Sequence, residues 1–172
     1  MVPTKQEKFN ELLAYVGAYC AQNSFIEEIK LWKLLYFCDA DFYFKSQRHT
    51  ITGVTYIKTL YGPTPDKRFI DKAVKYLKDK DIIKVDTIKA PNGKTRRVYS
   101  VKLPTNFTYK ALDANETEEA RKTCEKYGKL PLNDLLILSH QDPPYAGSEK
   151  VINFNLVKYR LEDEDAEELT EK

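Results

Sequence analysis

Ile29-Lys30-Leu31-Trp32-Lys33-Leu34-Leu35-Tyr36-Phe37-Cys38-Asp39-Ala40-Asp41-Phe42 is the stretch that decides the fold. Just upstream, Ser24 and Glu27 have the form of a capping box, and no Gly or Pro follows until Gly53, so the pattern predicts an unbroken helix from Ser24 to Ser46. Ile29, Trp32, Tyr36 and Phe37 share one face at helical spacing, while Leu31, Leu34, Leu35, Cys38 and Phe42 fill much of the rest. A helix apolar nearly all round is one that other elements surround. Lys30, Lys33, Asp39, Asp41 and Lys45 make it too charged to cross a bilayer. The expected architecture is α+β and mainly α-helical, with this central apolar helix surrounded by helices.

The chain has 172 residues, enough for a single core that removes roughly 70% of the unfolded surface from water. A single domain over 1–161 is expected, with 162–172 as an acidic tail that has little to bury and should be disordered. The formal charge of +2 hides an uneven distribution. Asp66 to Lys102 holds twelve Lys or Arg against five Asp, and Leu161 to Lys172 holds seven acidic residues against one Lys. Such asymmetry signals either a basic binding face with an acidic tail or two solvated surfaces. Cys20, Cys38 and Cys124 are odd in number and far apart in sequence, which argues for reduced thiols and a cytoplasmic location rather than a disulfide framework. No secretion signal or membrane span is visible.

Working outward, Thr4 and Glu7 form a second capping box, and Phe9, Leu12, Leu13, Val16 and Cys20 give an amphipathic helix to about Gln22. Asn23 should break it, so that the two helices make a hairpin. Gln47 to Thr52 is a polar turn closed by Gly53, and Val54 to Leu60 reads as a short strand. Tyr61-Gly62-Pro63-Thr64-Pro65 is expected to be a rigid turn, with Thr64 as N-cap and Pro65 opening a helix that ends near Lys80. Ile82–Lys89 and Thr95–Leu103 flank Asn92-Gly93, the favoured pair for a tight hairpin turn. Helix, strand, basic turn and strand in that order resemble a winged helix, with Lys94, Arg96 and Arg97 at the wing tip. Asn115 with Glu118 should cap the next helix, stopped by Gly128, and Pro131 should open another. Ser139 to Tyr145 is read as a rigid loop, Val151–Phe154 as a short strand, and Asn155–Leu161 as one or two helical turns.

Catalytic chemistry is not evident. There is no P-loop, dinucleotide fingerprint, nucleophile elbow or metal spacing, so no cofactor or metal is expected and the chain does not read as an enzyme. Cys38 reads as a core thiol, and His140 as a group that hydrogen-bonds a helix end. Asp39 shares a helical sector with Tyr36 and Tyr43. If buried it needs a partner such as a Tyr hydroxyl or a Lys, a structural use that is preferred to a binding one.

The run Lys30-Leu31-Trp32-Lys33-Leu34-Leu35-Tyr36-Phe37-Cys38-Asp39 resembles the K-L-x-K-L-L-Y-F-x-D signature of the Panacea domain, the SocA-type antitoxin family that includes phage-associated GepA-like proteins. Ile51-Thr52-Gly53 and Tyr61-Gly62-Pro63 resemble its I-T-G and Y-G-P segments, and Ser139-His140 with Pro144-Tyr145 is similar to its late S-H…P-W stretch. Tyr145 stands where many members carry Trp, and Thr64 where Val is usual. The resemblance implies an antitoxin of a toxin–antitoxin system that binds a protein toxin directly, in some members as an adaptor that passes the toxin to a protease. The face that would serve is Asp39, Tyr61, Gly62, Pro63, Ser139, His140 and Tyr145. The alternative is a winged-helix-like nucleic-acid-binding regulator contacting phosphates through Lys94, Arg96 and Arg97.

Overall fold

The structure, a computed structural model, describes residues 1–21 and 24–161. The break expected at Asn23 and the tail at 162–172 lie outside the described residues. Helix α1 spans Lys5–Ala21 and begins with the expected box, in which Thr4 N–H donates to Glu7 Oε2 (2.7 Å) and Glu7 N–H to Thr4 Oγ1 (3.1 Å). The central helix α2 spans Glu28–Ser46, and every residue from Leu31 to Ala40 is buried in it. Helices, strands and the C-terminal turn all pack on it, as its all-round apolar pattern requires. The fold is mainly helical with small sheets.

The start of α2 corrects the sequence reading. Ser24 and Glu27 do not form a capping box: Ile26–Glu27 is a strand, β1, and α2 begins at Glu28 without a side-chain cap. Pairing of Ile26 with Tyr99, burial of Ile26 and an ion pair from Glu27 to Arg96 all favour the extended conformation over a local cap. The other end closes in a left-handed cap at Gln47 (φ 55°), whose N–H donates to Tyr43 O at 2.7 Å.

Strands β2 (Tyr56–Thr59) and β3 (Gly62–Pro65) form a two-stranded antiparallel sheet, joined by the two-residue loop Leu60-Tyr61. Tyr61 to Pro65 is therefore not a turn into a helix. The N-cap is Asp66, whose Oδ1 accepts from Arg68 N–H, and α3 runs Lys67–Asp79. Pro63 and Pro65 lack N–H groups, so a short two-stranded ladder accommodates them where a central strand would not.

The basic hairpin forms from β4 (Ile83–Lys89) and β5 (Thr95–Val101), with β1 added on the far side of β5 to give the order β1-β5-β4. Its connection is longer than an Asn-Gly two-residue turn. Gly93 N–H donates to Ala90 O, Ala90 N–H donates to Lys94 O, and only Gly93 has positive φ (79°). Pro91 sets the negative φ of a type I turn, and Gly93 supplies the left-handed residue that follows it.

Helix α4 spans Ala114–Tyr127, and its capping box is Asp113 with Glu116, two residues before the expected Asn115 and Glu118. The cause is tertiary. Glu11 of α1 accepts from the N–H groups of Lys110, Ala111 and Leu112, which fixes the approach to the helix, and Glu116 also pairs with Lys8. Glu118 instead pairs with Arg121. Helix α5 spans Leu132–Gln141, so Ser139 and His140 are helical, and Pro143 at the first position opens α6 (Pro143–Gly147). The expected rigid loop there is two helices meeting at Asp142. Val151 bridges Ile57 as an isolated β pair, and a 3₁₀ helix covers Phe154–Tyr159. Among the described residues, no helix is long and apolar enough to cross a membrane.

Candidate functional site

Three elements converge on the β2–β3 hairpin. Lys33 lies within the apolar run of α2 and is fully buried, with Nζ donating to Pro63 O at 2.8 Å. Desolvation pushes its ammonium down to about 7, because the charged form is the one that burial penalises. Gly62 sits at φ 97°, and a Cβ there would lie 2.8 Å from Lys33 Cε and 3.0 Å from Ser139 Oγ. Gly62 is thus the point where α2, β3 and α5 touch, and both its φ and its lack of a side chain are used.

Ser139 is buried and donates to Leu136 O at 3.0 Å. His140 Nδ1 lies 2.6 Å from the same carbonyl, and Nε2 lies 3.2 Å from Leu60 O. Its ring packs edge-on to Tyr145 with centroids 4.6 Å apart. Tyr145 in turn donates to Thr59 O at 2.7 Å, and Lys58 Nζ sits 4.7 Å above the Tyr145 ring. The polar atoms of Ser139 and His140 therefore meet backbone carbonyls and hold the Leu60-Tyr61 loop against α5 and α6. That loop projects its side chains outward: Leu60 is 93% exposed and Tyr61 63%, with Ile137 of α5 also exposed.

Of the expected face, Tyr61, Gly62, Pro63, Ser139, His140 and Tyr145 are brought together around this hairpin. Asp39 is not on the surface. It is fully buried and accepts from Thr52 N–H (2.9 Å), Thr52 Oγ1 (2.7 Å) and Tyr56 Oη (2.8 Å). Burial pushes its carboxyl up to about 6 while these donors pull the other way. The structural reading of Asp39 stands: it ties the Ile51-Thr52-Gly53 loop and β2 to α2. Gly62, Pro63 and Ser139 are buried as well, so the contact surface rests on the loop tip and its neighbours.

Sequence reasoning missed Lys33 and Leu60. A lysine inside an otherwise apolar helical run was the available signal for Lys33, since a buried ammonium must find an acceptor. It also missed that Cys20, Cys38 and Cys124, far apart in sequence, lie close enough together in the fold for their thiols to influence one another. Among the described residues, no group of three or more His, Cys, Asp or Glu side chains could hold a metal ion.

At the wing, Arg96 pairs with Glu27 and Arg97 with Glu28. Lys94 forms no ion pair among the described residues, so one of the three expected phosphate contacts lacks a competing carboxylate.

The family model of the SocA-like antitoxin Panacea domain matches residues 31–145. The chain belongs to this family. No curated protein and no solved structure matches the chain. The Panacea match begins at Leu31, the first of the consecutively buried residues of α2, and ends at Tyr145, whose hydroxyl holds the β2–β3 loop. It therefore contains the whole hairpin site. Helix α1 and the C-terminal 3₁₀ helix lie outside the Panacea match, although Phe9, Leu12, Leu13, Val16 and Val157 belong to the same core.

Proposed function

We propose that this chain is an antitoxin that neutralises a cognate protein toxin by direct, stoichiometric contact through the Leu60-Tyr61 loop and its surroundings. The observation that carries the reading is the Panacea antitoxin match over residues 31–145. The loop supports it physically. Two large apolar side chains stand out on a hairpin anchored by His140, Tyr145 and Lys33, so little ordering entropy remains to be lost on binding. Exposed aromatic and aliphatic anchors on rigid supports are what interface hot spots use. Neutralisation would then be masking of the toxin's working surface, and delivery of the bound toxin to a protease is an extension of the same contact.

The nucleic-acid reading has less support, because Glu27 and Glu28 compete with phosphate for Arg96 and Arg97. The deciding experiment is expression of the neighbouring open reading frame with and without this chain. Growth arrest by the neighbour alone, relieved by this chain with a stable co-purifying complex, is the expected result. A harmless neighbour that never co-purifies would contradict it.

A further inference from the structure

A groove of about 1020 Å³ runs between α2, α4, the α5–α6 junction and the C-terminal 3₁₀ helix. Its apolar floor includes Phe37, Tyr127 and Leu138, and Tyr159 and Leu161 stand exposed along it. Its two carboxylates are both engaged by one cation: Arg160 donates to Asp41 Oδ1 and to both oxygens of Asp142, each at 2.7 Å. What remains on the walls is basic. Lys45 and Lys122 share the single carboxylate of Glu119, and Lys126 forms no ion pair among the described residues.

We propose that this groove is a docking site for an acidic segment, and that its occupant in the free protein is the chain's own residues 162–172. Three observations converge. The last described residue, Leu161, itself lines the groove, and Arg160 beside it is fixed by the two aspartates, so residue 162 is joined to the chain at the groove. The eleven residues that follow carry seven carboxylates against one Lys, opposite in sign to the lysines of the walls. They also carry one large apolar side chain, Leu169, to set against the apolar floor. Reach is ample, since eleven extended residues span up to ~36 Å. Tethering supplies an effective concentration on the order of millimolar, so weak attraction suffices. The proposal does not depend on the toxin reading; a partner that uses this groove must displace the segment.

The test is zero-length carbodiimide coupling of the full chain at low ionic strength, followed by peptide mass mapping. The reagent activates a carboxylate, and a lysine amine displaces it as a urea to leave an amide. Amides within one chain, joining carboxylates of 162–171 to Lys122 or Lys126, are expected. Their yield should fall about ten-fold at 1 M salt, where screening acts within roughly 3 Å. Leu169→Asp should lower that yield several-fold even though it adds a carboxylate. Amides spread evenly to Lys84, Lys89 and Lys94 of the hairpin, amides formed only between copies, or a yield raised by Leu169→Asp would each overturn the proposal.

Discussion

The ammonium of Lys33 donates to the carbonyl of Pro63 across 2.8 Å from a side chain that solvent does not reach. This bond fastens the second strand of the hairpin to the central helix, and it does so with a group held well below its ordinary lysine range.

A pH dependence follows from that pairing. The unfolded lysine titrates near 10.5 and the folded one near 7, so between these values the unfolded chain holds more protons. The Lys33 contribution to stability therefore rises with pH across that window, by at most ~1.4 kcal/mol per pH unit, and its penalty is complete below pH 7. Lys33→Met should be more stable relative to wild type at pH 6 than at pH 10, by a few kcal/mol in the difference. Urea unfolding of both proteins at each pH measures it; a pH-independent difference would mean that Lys33 keeps its charge.

Asp39 and Tyr61 should separate cleanly when each is truncated. Asp39→Ala strands two hydroxyls and one N–H in the core and should cost roughly 2–5 kcal/mol, since each buried donor left without an acceptor costs about 1–3 kcal/mol. Tyr61→Ala removes an exposed ring and should shift stability by no more than about 0.5 kcal/mol. Thermal unfolding of the two variants gives the comparison.

Much of this was legible in the sequence because the relevant signals were local and strong. Residues 31–40 are apolar enough to be recognised as a buried helix, and Asn92-Gly93 marked the hairpin. What was not legible depended on partners far away in the chain. Ser24-Glu27 has the form of a cap, yet Ile26 is drawn into a strand by Tyr99, some seventy residues on. The cap of α4 lies at Asp113 because Glu11 gathers three successive N–H groups just before it. The sector of Asp39 on α2 does not reveal that Thr52 and Tyr56 close over it, which makes it a buried acceptor and not part of an exposed face.

Gly62 offers a stringent test of packing at the site. Its positive φ and the 2.8 Å and 3.0 Å approaches to Lys33 and Ser139 mean that Gly62→Ala should cost roughly 1–3 kcal/mol from strain and overlap. Gly93→Ala, at a similar φ (79°) in open space, should cost less, because it carries strain without overlap. Equal losses in paired denaturation curves would show that the three-way contact at Gly62 is slack.

The most direct measurement is the affinity of the purified product of the neighbouring reading frame for the wild-type chain and for its Leu60→Asp and Tyr61→Ala variants, read beside their melting temperatures. Loss of at least 2 kcal/mol of binding, about 30-fold or more, with melting unchanged is the result expected of hot-spot side chains. Wild-type affinity in both variants would contradict the assignment of this loop as the toxin-binding surface.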